Sequence, residues 1–124
     1  MHYRRLRIEG ATYFFTVMTY KRRPLFGRPW AVALLDEAVE KVMARHPFEL
    51  VAQVVMPNHL HALWTLPAGD AEFSTRWRLI KETFTREYVK RRPATALETA
   101  TARNRHGIWQ PRFWEHLVRD DRDL

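Results

Sequence analysis

"MPNHLHALW", residues 56 to 64, sets two histidines one residue apart inside an apolar run that otherwise has the pattern of a buried strand. Alternate side chains of an extended chain share a face, so His59 and His61 project together while Leu60, Ala62, Trp64 and Leu66 take the opposite side. Pro57-Asn58 is a turn signal, which makes HPFELVAQVVM (46–56) a strand and HLHALWTL (59–66) its antiparallel return. Two imidazoles on one strand face can chelate a single divalent ion from adjacent corners, leaving other positions for water, a third protein ligand or substrate oxygens. Zinc, iron and manganese suit imidazole, and added oxygen ligands or phosphate would shift the preference to manganese or magnesium. The other open reading is structural: one ring bonds the backbone and the other faces solvent. His2, His46, His106 and His116 show no such spacing; His46 precedes a proline at a helix end, and His116 can lie near the functional face of the sheet.

Outward from the hairpin, TYFFTVMT (12–19) is a β-branched and aromatic strand with Thr12, Phe14, Thr16 and Met18 on one face and Tyr13, Phe15, Val17 and Thr19 on the other, and reads as covered on both. KRRPLFGRP breaks it, and Ala31, Leu34, Leu35, Ala38 and Val42 then recur at helical spacing up to Arg45. After the loop PAGDAE, Phe73, Trp77, Ile80, Phe84 and Tyr88 form the apolar stripe of a long helix, with Asp70 placed to cap it. Residues 91 to 106 lack a period and read as a loop. GIWQPRFWEHLV (107–118) reads as a fourth strand whose Pro111 indicates an edge or a bulge, and RDDRDL as the first turn of a further helix. The order βαββαβ predicts an α+β fold, an antiparallel sheet with helices packed on it, in a single domain spanning residues 1–124.

A chain of 124 residues with 46% hydrophobic and 13% aromatic side chains can bury one core. No apolar run approaches the roughly 18 residues a membrane span needs, and no signal-peptide pattern opens the chain, so a cytoplasmic protein with no membrane partner is expected. The absence of cysteine excludes a disulfide framework, a thiol nucleophile and a thiolate zinc site. The net charge of +7 is segregated: residues 1–23 carry six basic and one acidic side chain, and residues 76–105 nine and three. Two basic segments with aromatics nearby fit a surface that neutralises phosphates, although a solvated basic face would share the composition.

The stretch HPFELVAQVVMPNHLHALWTLPAGDAEFSTRWRLIK (46–81), with YRRLRIEGATYFFTV (3–17) before it and GIWQPRFWEH (107–116) after it, resembles the REP-associated tyrosine transposases, members of the single-tyrosine HUH superfamily. The resemblance covers nearly the whole chain outside residues 92–106. It implies a ferredoxin-like fold in which His59-Leu60-His61 is the HUH motif, holding a divalent metal that polarises the scissile phosphate of single-stranded DNA. It also implies a tyrosine on a helix beyond the WEH segment that attacks to give a 5′-phosphotyrosine and a free 3′-hydroxyl. A covalent ester conserves the bond energy, so cutting and rejoining become one reversible exchange. None of Tyr3, Tyr13, Tyr20 and Tyr88 stands at that motif position, so the chain is expected to be C-terminally truncated relative to the family, with no nucleophile of its own and no cleavage by the family mechanism.

Candidate DNA contacts are Arg4 and Arg5 in the YRR arm, Arg78 and Lys81 on the long helix beside Ser74 and Thr85, and Arg112 among the aromatics of WQPRFWEH. The partner expected is single-stranded, hairpin-forming DNA, with a monomer favoured over a homodimer. Trp64, Trp77, Trp109 and Trp114 are read as core or strand-pair residues, and Tyr88 as part of the helix stripe. A DNA- or RNA-binding module without catalysis is the alternative. A hydrolase using His-x-His to activate water ranks last, because acidic residues that would complete a tight site are missing near the pair.

Overall fold

A computed structural model of the chain describes residues 7–91 and 107–119. The elements run β1 (Thr12–Met18), α1 (Pro29–Arg45), β2 (Glu49–Met56), β3 (His59–Thr65), α2 (Phe73–Arg91) and β4 (Trp114–Val118), with two short 3-10 turns at Tyr20–Arg22 and Leu25–Gly27 between β1 and α1. All strand pairs are antiparallel and the sheet order is β2-β3-β1-β4, so the two βα units interleave as a split βαβ pair. This is the α+β architecture the alternating elements predict.

Local chemistry explains the boundaries. Pro29 opens α1, where its missing N–H would have had no helical partner. His46 closes the helix, its N–H donating to Val42 O, and Pro47 disfavours another helical turn. Pro67 to Asp70 form a turn closed by Asp70 N donating to Pro67 O at 3.1 Å, and Gly69 takes the positive φ of 79° that the turn requires.

The core lies between the helices and one face of the sheet. Tyr13, Phe15 and Val17 of β1 and Leu60, Ala62 and Trp64 of β3 are buried against Leu34, Leu35 and Ala38 of α1 and Phe73, Trp77, Ile80 and Phe84 of α2. Trp64 is stacked between Phe48 at 4.0 Å and Trp77 at 4.4 Å between ring centroids. Arg76 is buried as well, and all five of its N–H groups have acceptors: Asp70 Oδ1 and Oδ2, and the carbonyls of His46, Pro47 and Glu72. One guanidinium thus ties the end of α1, the approach to β2 and the loop before α2. Asp70 also accepts from Glu72 N at 2.8 Å, just ahead of α2, close to the capping role read from the sequence.

Two expectations need correction. Among the described residues β1 is covered on one face only, because α1 and α2 lie on the same side of the sheet; Phe14 on the other side is 39% exposed. The fourth strand begins at Trp114, not Gly107: residues 107–113 cross beside α2, their backbone meeting the end of β1 through an isolated Thr19–Trp109 bridge and the Gln110 N–Met18 O bond while Phe113 packs edge-on against Phe15. Of the tryptophans read as core or strand-pair residues, Trp64, Trp77 and Trp109 are in the core and Trp114 is paired with Thr16, 61% exposed on the uncovered face. Of the loop read at 91–106, Arg91 is the last residue of α2 and 92–106 lie outside the described residues, as do the helical turn read in RDDRDL beyond Arg119 and Tyr3, Arg4 and Arg5. Among the described residues, no helix is long and apolar enough to cross a membrane.

Candidate metal and nucleic-acid site

The register places His59 and His61 on the uncovered face, in a central strand flanked on both sides. His61 stands opposite Thr16 of β1 and Val54 of β2, and His59 opposite Met18 and Met56. Both imidazoles are half-buried, with ring centroids 5.0 Å apart and planes nearly perpendicular. Each ring is held through its Nδ1. That of His59 lies 2.7 Å from Asn58 Oδ1, and that of His61 lies 3.0 Å from Thr16 Oγ1. The amide oxygen of Asn58 only accepts, so this contact requires His59 Nδ1 to donate, the tautomer in which a neutral ring presents its Nε2 lone pair. A partner on one ring nitrogen that fixes the ring's direction and leaves the other for an ion is the usual support of a histidine ligand.

The donor set fits part of a coordination sphere. Among the described residues no group of three or more His, Cys, Asp and Glu could enclose an ion, so the pair would supply two positions, with the rest left to phosphate oxygens, water or further ligands.

Electrostatics favour an anion on this face. Of the side chains that the register directs there, the only carboxylate is Glu49, at the corner opposite Thr65 and away from the histidines. Exposed Lys21 and Arg22 follow β1 beside Asn58, whose carbonyl accepts from Thr19 N at 3.1 Å. Arg112 is exposed too, and the Gln110 N–Met18 O bond brings its segment to the end of the sheet where His59 stands.

Arg78 and Lys81, with Ser74 and Thr85, line a cavity of about 770 Å³ between α2 and residues 109–113, so the flank read from helical spacing is a shared surface. Lys81 has a local task there: its ammonium donates to Gln110 O at 3.1 Å and lies over the rings of Phe113 and Trp109, pinning the crossing segment to α2. Arg78 is largely exposed, with a loose 3.6 Å ion pair to Glu82 one turn on. The structure therefore groups His59, His61 and Arg112 at one end of the sheet and Arg78 with Lys81 on the helical side.

His116 falls on the histidine face opposite Phe14, as its sequence position suggested. Sequence reading did not identify Thr16, Asn58 and Phe14 as members of the site; Phe14 stacks on the His61 ring at 5.2 Å. Asn58 was visible as a turn residue next to the motif, but Thr16 and Phe14 join the site only through pairing register, which no local pattern encodes. The tyrosines have other roles: the Tyr13 hydroxyl donates to Ile8 O in the core, Tyr20 opens a 3-10 turn, and Tyr88 packs between Trp30 and Phe84.

No family model matches the chain. An Escherichia coli (strain K12) protein named REP-associated tyrosine transposase is 44% identical over 121 residues, a match covering 98% of this chain and 64% of the relative. A Haemophilus influenzae protein of the same family description is 36% identical over 126 residues, covering 99% of this chain and 69% of the relative. A solved REP-associated tyrosine transposase bound to a REP hairpin superposes with a TM-score of 0.80 at 41% identity, over 99% of this chain and 65% of that one. A Deinococcus radiodurans crystal structure at 19% identity shares the fold with a TM-score of 0.66, over 97% of this chain and 88% of its own. The chain thus spans 64% of the E. coli relative and 65% of the hairpin-bound one.

Proposed function

The chain belongs to the REP-associated tyrosine transposase family, and from that premise we propose that it is a DNA-binding transposase core that takes hairpin-forming single-stranded DNA and seats a phosphate over His59 and His61. The observation that carries the proposal is the pair itself: two imidazoles on one face of a central strand, each tethered at Nδ1 by Asn58 or Thr16. A divalent ion held by their Nε2 atoms, magnesium or manganese, would supply Lewis acidity toward a phosphate oxygen. Thr16 and Asn58 keep the rings aimed, Lys21, Arg22 and Arg112 draw the strand toward the sheet by neutralising phosphates, and Arg78 with Lys81 offers a further basic surface on the helical side. Arg4 and Arg5 remain candidate contacts from the sequence alone. The hairpin-bound relative supports the choice of DNA partner.

A second reading, a binding module that does not itself cleave, is favoured for this chain by its tyrosines. Tyr13 and Tyr88 are buried in the core and Tyr20 lies in a 3-10 turn beyond β1, so among the described residues no tyrosine belongs to a strand on the histidine face. Nicking and rejoining through a 5′-phosphotyrosine would then require a tyrosine that these residues do not provide.

Titration with manganese, and binding of a fluorescent DNA hairpin with an unpaired extension, test both parts. Wild type should bind manganese and His61→Ala should lose that binding, while both bind the hairpin and neither forms a covalent adduct. Arg78→Ala combined with Arg112→Ala should weaken hairpin binding and flatten its salt dependence by about two counterions. Unchanged manganese binding in His61→Ala would remove the metal assignment, and adduct formation by wild type would remove the non-cleaving one.

A further inference from the structure

We infer that the uncovered sheet face beside the histidine pair is a stacking surface for unpaired bases, with Phe14 and Trp114 as its aromatic contacts. The inference rests on the DNA-binding reading above and specifies what part of the DNA this face holds.

Three observations converge. The face is apolar and open: Phe14, Val54, Met56 and Trp114 are all exposed there, although large hydrophobic groups on a sheet normally face the core. It is shaped: Phe14, His61 and His116, with Ala52, Val54 and Leu63, line a shallow hollow of about 440 Å³, large enough for a small planar group. It is also placed beside the proposed phosphate site. Trp114 pairs with Thr16, and Thr16 with His61, so one cross-strand row carries the indole, the hydroxyl that orients the imidazole and the imidazole itself. At about 4.8 Å per strand the indole stands roughly 10 Å from His61, a distance that a neighbouring nucleotide spans.

An apolar protein partner would fit exposed aromatics equally well, but the surrounding chemistry selects nucleic acid. Three histidines lie among the aromatics, the described strand residues put one carboxylate on the face and that at a far corner, and exposed Lys21, Arg22 and Arg112 follow or precede the strands at the end where His59 stands. A surface that offers rings to base faces and cations to the backbone is how single strands are held without reading every base edge. Paired bases cannot present their faces, so the surface distinguishes unpaired from duplex DNA.

The test compares a DNA hairpin carrying a short unpaired extension with the same hairpin lacking it, by fluorescence anisotropy. Wild type should bind the extended hairpin at least about 5-fold more tightly, as expected from stacking one base. Trp114→Ala and Phe14→Leu should each reduce that preference, Trp114→Ala while leaving affinity for the blunt hairpin unchanged, and abasic sites in the extension should reduce the preference of wild type. A 2-aminopurine in the extension should lose fluorescence on binding wild type and keep more of it with Trp114→Ala. Full preference retained in both variants would overturn the inference. Wild type binding the two DNAs equally would overturn it while leaving the DNA-binding reading intact; failure of wild type to bind either would remove both.

Discussion

The two faces of β3 are built from alternate residues of one seven-residue strand and do different work. Leu60, Ala62 and Trp64 enter a closely packed core, where each lost methylene leaves a void. His59 and His61 point to a face that neither α1 nor α2 covers, held by single hydrogen bonds. The contrast separates what folds the domain from what it is proposed to do, because a substitution on one face leaves the neighbouring side chain on the other with its packing unchanged.

The largest expected effect lies on the helical face. Trp64→Ala removes an indole stacked between Phe48 and Trp77 and should cost about 3–5 kcal/mol, read as a lower urea midpoint with loss of near-ultraviolet ellipticity. A smaller loss would mean that the helices can close onto the gap. Next comes the ion pair of buried Arg76 with half-buried Asp70 that anchors the same side. Asp70→Ala leaves the Arg76 guanidinium, 3% exposed, with carbonyl partners but no countercharge, and should cost about 3 kcal/mol.

That pair also sets a pH dependence. The Arg76 guanidinium bonded to Asp70, aided by the Glu72 N–H, holds the Asp70 carboxyl below its ordinary value of 3.8, against the opposing effect of burial. A carboxyl depressed in the folded state adds stability above its unfolded value, and that contribution is lost as pH falls through the folded one. Wild type and Asp70→Asn should therefore differ most above pH 3.8 and converge in more acidic solution, as followed by urea midpoints across pH. The smallest effect on stability belongs to the open face. Thr16→Val removes the partner of His61 Nδ1 and should change stability by less than about 1 kcal/mol, yet weaken manganese binding by about 10-fold. A large stability loss from Thr16→Val would blur the division between the faces.

Much of this division was readable before any coordinates. The period of two in HLHALWTL separates the histidines from Leu60, Ala62 and Trp64, and the spacing of Phe73, Trp77, Ile80, Phe84 and Tyr88 defines the buried stripe of α2. What could not be read depends on contacts between distant segments. An aromatic strand such as TYFFTVM looks doubly covered until the number of helices on each side is known. Trp114 resembles any core tryptophan until register turns it outward. Arg76 looks like one more cation of a basic helix until its five acceptors, supplied from several points between His46 and Glu72, are assembled around it.

β3 is laddered to a neighbour along both edges, so the backbone beneath the two histidines cannot open or narrow to suit an ion's radius. A fixed bite makes the pair a gauge rather than a glove. Under the metal-binding proposal, discrimination between small and large divalent ions would come from the groups that complete the sphere, which would leave ion preference adjustable without disturbing the strand that carries the pair.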